Sequence, residues 1–125
     1  MLKTKEPRAT IAVSDIAAAR AFYEQKLGLE PEAISDMPMV VYPCGVGALF
    51  VYQSPTAGSN TATGVTWIVG DDVAEVAAGL AGKGVAFESY DMPEATKDGD
   101  VYTMGDIRIA WFKDPDGNIH AIVNG

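Results

Sequence analysis

Few side chains in this 125-residue chain can do acid–base, nucleophilic or metal chemistry. It has one histidine, His120, one cysteine, Cys44, and seventeen carboxylates. A single histidine cannot build a multi-histidine metal site within one subunit, and a single cysteine excludes an internal disulfide or a cysteine-cluster site. Cys44 lies in Pro43-Cys44-Gly45 with no histidine or cation beside it in sequence to favour the thiolate, so a nucleophilic role is not expected. Asp36, Asp91, Asp98, Asp100 and Asp106 fall in loops or at strand ends without calcium-loop spacing. His120 is expected to pack on the helix side of a sheet or sit exposed near a hairpin end, rather than act as a ligand or acid–base group.

Composition narrows the partners. Seventeen acidic against nine basic residues give a formal charge of −8, which opposes nucleic-acid binding and favours cationic small ligands. The length fits one domain, and 48% hydrophobic residues are enough to build a core. No apolar run approaches a membrane span, and Met1–Pro7 lacks a secretory apolar stretch, so a cytoplasmic protein with no membrane contact is expected.

The elements that must position these groups come from an internal repeat. A shift of 56 positions superposes Thr10 on Thr66, Val13 on Val69, Asp15 on Asp71, Ala18 on Ala74, Ala21 on Ala77, Gly28 on Gly84 and Glu32 on Glu88. Each copy reads strand, helix, strands. In the first, Arg8–Val13 alternates as a strand, Asp15 is the N-cap, and Ile16, Ala19, Tyr23 and Leu27 form a helical stripe stopped by Gly28. In the second, Val65–Val69 is the strand, Asp72 and Glu75 have capping-box spacing, and Val73, Val76, Ala77 and Leu80 form the stripe before Gly84. Strand-like runs follow at Met39–Tyr42 and Ala48–Gln53, and again at Val101–Met104 and Ile107–Phe112. Ser54–Asn60 is a polar connector and Asp91–Gly99 a second polar loop. Asp114-Pro115-Asp116-Gly117 predicts a three-residue hairpin loop that pairs Asp114 with Asn118. That register sets Trp111 opposite Ala121 and Ile109 opposite Val123 on one face, and Phe112 with His120 on the other.

Val13-Ser14-Asp15-Ile16, Ala21-Phe22-Tyr23, Leu27-Gly28-Leu29, the two copies and the closing Trp111-Phe112-Lys113-Asp114-Pro115-Asp116-Gly117-Asn118 together resemble the glyoxalase, bleomycin-resistance and extradiol-dioxygenase (vicinal oxygen chelate) superfamily. The resemblance implies an α+β fold of two tandem βαβββ modules, residues 8–53 and 63–123 joined by a linker 54–62, forming a curved mixed sheet around a cleft. It also implies a divalent metal (zinc, manganese, nickel or iron) in the enzymes, held by a histidine opening each copy and a glutamate on the last strand. Here those positions carry Arg8, Gly64 (Val65 if the register slips by one) and Ala121, none of which is an ordinary metal ligand.

With no metal expected, the cleft face is read as Thr10, Ala12, Thr66, Ile68, Ile109, Trp111, Ile119, Ala121 and Val123, with Trp67 on the opposite parity. Trp111 offers a stacking or cation–π surface, or is simply core. Arg8 either holds an anionic group or lies solvated at a strand start. Tyr42, Tyr52, Tyr90 and Tyr102 are candidate hydrogen-bond donors at the cleft edge. The resulting expectation is a metal-independent small-molecule-binding protein of the bleomycin-resistance type, homodimeric, sequestering an aromatic or cationic ligand. The rivals are an enzyme of the same superfamily, metal-dependent or metal-free, and a regulatory or interaction module.

Overall fold

The computed structural model describes residues 1–33 and 37–125, so Asp36 lies outside the described residues. Strands β1 (Ala9–Val13), β2 (Met39–Cys44) and β3 (Gly47–Gln53) form one sheet in the order β1-β3-β2. Strands β4 (Thr63–Ile68), β5 (Thr96–Asp98), β6 (Val101–Met104), β7 (Ile107–Lys113) and β8 (Ile119–Val123) form a second, ordered β4-β8-β7-β6-β5. Helix α1 (Ile16–Arg20) runs directly into a π-helical stretch, Ala21–Lys26, and α2 spans Val73–Gly82. No helix among the described residues is long and apolar enough to cross a membrane.

Both sheets share one scheme: the first strand runs parallel to the last, which is antiparallel to the one before it. The counterpart of β3 is therefore β8, and among the described residues the 8–53 module holds three strands where a βαβββ module has four. Partnership with the first strand decides equivalence, and the second sheet carries extra strands on its far edge. One of these, β5, lies inside the segment read as a loop. All three of its residues are exposed, so no buried alternation marks it, and Lys97 instead sets its ammonium over the Tyr102 ring, 5.7 Å from the centroid.

Asp15 caps α1 as its spacing predicts. It is extended, and its Oδ1 accepts from the Ala17 and Ala18 N–H groups at 2.9 and 3.4 Å. Asp72 does not cap α2: its backbone (φ −94, ψ 17) is not extended, and the chain enters the helix through a 3-10 turn, Gly70–Asp72. The π-helical stretch has a local consequence. The Leu27 N–H bonds the carbonyl of Phe22, five residues back, and two consecutive aromatics, Phe22 and Tyr23, are both buried. The core lies between the helices and one face of each sheet, with Val13, Tyr42, Leu49, Val51, Val73, Phe112 and Ile122 almost wholly enclosed.

Candidate functional site

The closing hairpin has the predicted loop. Asp114 N–H bonds the Asn118 carbonyl at 3.0 Å, and Gly117 takes the left-handed φ of 85°. Trp111 pairs with Ala121, Ile109 with Val123 and Phe112 with His120, which settles what each face can see.

On the core face, His120 is fully buried and stacked on Phe112, their centroids 4.9 Å apart. Its Nδ1 lies 3.0 Å from Trp67 Nε1 and its Nε2 lies 3.0 Å from Tyr23 Oη. An indole N–H can only donate, so Nδ1 is the acceptor and the proton of neutral His120 sits on Nε2. That N–H donates to Tyr23 Oη, and Tyr23 in turn donates to Asp114 Oδ2 at 2.7 Å. Burial lowers the His120 pKa to about 4. Burial, reinforced by Asp114, raises that of Tyr23. Asp114 also accepts from the Asp116 and Asn118 N–H groups and from Asn118 Nδ2, which reaches across to the Ala12 carbonyl of β1. The Ser14 N–H donates to Asp116 Oδ2. These bonds tie the two sheets together. Every polar atom of His120 that could bind a metal or move a substrate proton is already engaged.

A small apolar cavity of about 130 Å³ lies on this helix side, between Leu27, Val76, Leu80, Phe112 and Ile122, and larger ones open on the opposite face. Trp111 meets the rings of Tyr90 and Tyr102 nearly edge-on, with centroids 5.2 and 5.5 Å away. Tyr102 Oη accepts from the Tyr90 N–H at 2.7 Å and donates to the Tyr90 carbonyl at 3.1 Å, fixing the Tyr90 backbone. A cavity of about 510 Å³ opens here, lined by Asn60, Thr61, Thr63, Tyr90, Met92, Trp111, Lys113 and Ile119. A neighbouring pocket of about 240 Å³ holds Thr10, Ala12 and Tyr52, and shares Gly58, Asn60 and Ile119 with the first. Gly58 has a φ of +74°, and a Cβ there would overlap the Asp116 carbonyl. The connector is thus pressed onto the hairpin turn, where it forms a wall of both pockets.

The residues read from sequence as one cleft are divided. Trp111 lines the larger cavity, and Thr10 and Tyr52 the smaller. Thr66 and Ile68 line a separate recess beside Cys44. Ala121 is buried at 1% exposure and offers no surface. Ile109, paired with Tyr102 and Val123, lines none of these cavities, and Arg8 is exposed outside them. Tyr42 is buried, its hydroxyl donating to Glu24 Oε2 at 2.9 Å. Burial raises the pKa of the Cys44 thiol, away from a reactive thiolate. Sequence reading missed Lys113, although the two-residue alternation from Trp111 reaches it. Asn60, Thr61 and Met92 gave no such signal, because their placement depends on where two connectors cross the sheet, and Thr63 stands beyond the bulge that interrupts β4.

The family's metal positions do not fit a divalent ion. A β-bulge falls between Thr63 and Val65, leaving Gly64 as the extra residue and turning Val65 to the core face opposite His120. Gly64 and Ala121 have no donor atom, and Arg8 stays protonated. Among the described residues, no three His, Cys, Asp or Glu side chains cluster as a metal site.

A glyoxalase/bleomycin resistance protein from Catenulispora acidiphila DSM 44928 superposes with a TM-score of 0.69 at 26% identity, over 94% of this chain and 96% of that one. Lactoylglutathione lyase from Agrobacterium tumefaciens gives 0.71 at 17% identity, over 98% and 95%. The fosfomycin resistance protein FosX from Listeria monocytogenes gives 0.71 at 15% identity, over 100% and 93%. No curated protein matches in sequence. The family model of the Glyoxalase/Bleomycin resistance protein/Dioxygenase superfamily matches residues 7–122, and the chain belongs to that superfamily.

Proposed function

We propose that this protein binds a small aromatic molecule in the Trp111 cavity, without a metal and without breaking a bond. The observation that carries this reading is the cavity itself. Its volume of about 510 Å³ falls in the range of small-molecule sites, with an indole and a phenol for the apolar contact and Asn60, Thr61 and Thr63 as polar groups. Lysine apart, these are weak acids and bases, suited to holding a ligand rather than to moving its protons. Arg8, Gly64 and Ala121 at the family's metal positions support the metal-independent half of the proposal. In keeping with the bleomycin-resistance type, the protein acts by sequestration, as a cytoplasmic homodimer with isologous contacts.

Elemental analysis of the untagged protein after dialysis with zinc, manganese, nickel and iron tests the metal half. Less than a tenth of a metal ion per subunit, roughly, is expected, and about one would overturn it. Titration of aromatic probes into wild type and Trp111→Ala tests the site. Saturable binding lost in the variant is expected; turnover of a thiohemiacetal, catechol or activated epoxide would replace binding with catalysis.

A further inference from the structure

The charge preference of the cavity is set locally, by one ion pair, and this inference rests on the proposed binding site. Lys113 follows Trp111 by two residues on β7, so both side chains leave the same face of the sheet, about 7 Å apart along the strand. Lys113 is the one charged residue lining the cavity among those described. Its Nζ lies 2.9 Å from Glu88 Oε1, and the Glu88 N–H is itself fixed to the Trp111 carbonyl at 2.8 Å. Glu88 is not part of the cavity lining. The lining therefore offers a ligand stacked on Trp111 the Lys113 side chain and not the carboxylate.

An ammonium has three donors and no acceptor. The bond to Glu88 uses one, leaving two for a ligand. We propose that the site selects an aromatic compound bearing an acceptor oxygen, a carbonyl or carboxylate, directed at Lys113. This reverses the cationic preference expected from the net charge of −8. That overall charge acts through water at long range and is screened within about 8 Å at physiological ionic strength, whereas a charge-assisted hydrogen bond at Lys113 acts on contact. The carboxylates close in sequence do not reach the ligand: neither Asp114 nor Asp116 lines the cavity, Asp116 Oδ2 being turned to the Ser14 N–H and Asp114 buried against Tyr23 and Asn118.

The test is calorimetric titration of the whole chain with three matched probes, 2-naphthamide, 2-naphthoate and 2-naphthylmethylammonium, at about 0.15 M ionic strength. Wild type is expected to bind the amide and carboxylate about three- to tenfold more tightly than the ammonium. Lys113→Met, at a half-exposed position, removes the donor and leaves Glu88 unpaired, so the gap closes or inverts. Glu88→Gln frees the third donor and widens it. An ammonium that binds wild type as tightly as the amide, or an order unchanged in Lys113→Met, overturns the assignment to Lys113. If binding is nevertheless lost in Trp111→Ala, only the charge assignment fails. If no probe binds wild type, the Trp111 binding site fails and the charge assignment with it.

Discussion

Lowering the pH from 7 towards 4 sets the buried His120 against its surroundings. Its Nε2 proton already faces Tyr23, so a second proton must go to Nδ1, which accepts from Trp67 Nε1 at 3.0 Å. Two N–H groups would then point at each other in a site closed to water. Burial places the folded-state pKa at about 4, below the ordinary 6.5. The unfolded chain therefore takes up the proton first, and between pH 6.5 and about 4 it binds more protons than the native state. Stability is fully present above this window and falls as pH falls through it. At ~1.4 kcal/mol per pH unit, the loss from this one residue amounts to about 3 kcal/mol. His120 is the chain's one histidine, so nitrogen-15 NMR of the untagged protein reads it directly, without assignment variants. The expected spectrum shows a neutral ring protonated at Nε2 near neutral pH, with a titration midpoint near 4 or unfolding before it is reached. A midpoint at 6 or above while the protein stays folded, or a ring protonated at Nδ1, would refute the hydrogen-bond assignment.

The same network makes Tyr23→Phe costly, because Asp114 loses one hydrogen bond and the His120 Nε2–H is left buried without a partner. A loss of about 1–3 kcal/mol is expected in urea denaturation, whereas a change within about 0.5 kcal/mol would show the hydroxyl to be idle. Asp15→Ala leaves two N–H groups of α1 uncapped and should cost about 1 kcal/mol by the same measurement. Gly58→Ala forces a side chain into a left-handed backbone and into the Asp116 carbonyl. It should lower the melting temperature and weaken any ligand of the Trp111 cavity together, since the connector is a wall of that site. An unchanged melting temperature would mean that the connector is not pressed on the turn.

Local features were legible in the residues alone. Proline and glycine in Asp114-Pro115-Asp116-Gly117 fix a loop of one length, and that length fixes the β7–β8 register, so the faces of Trp111 and His120 followed from five residues. The Asp15 cap and the left-handed turns at Gly28 and Gly84 are likewise decided within a few positions. The Asp72 cap failed although its spacing was right, because a side chain caps only if the backbone before the helix is extended, and the entry through Gly70 is not. Strand β5 was invisible because an exposed edge strand buries nothing, and burial is what writes alternation into a sequence.

The site divides along the same line. Its apolar floor, Trp111 with Ile119, was readable from strand parity. Of its rim and walls only Tyr90 was: Asn60 to Ala62 and Met92 come from two connectors, Thr63 stands at the bulge that opens β4, and Lys113 acquires its meaning from Glu88, held beside β7 by a backbone bond. The character of His120 was decided by Trp67 and Tyr23, 53 and 97 positions away. Periodicity and turn chemistry are set by neighbours within a turn or a pleat, so the sequence alone determined the buried elements, and the faces and register of the closing hairpin. Which side chains complete one another's hydrogen bonds across those faces depends on how sheets and helices pack, and only the tertiary structure decided that.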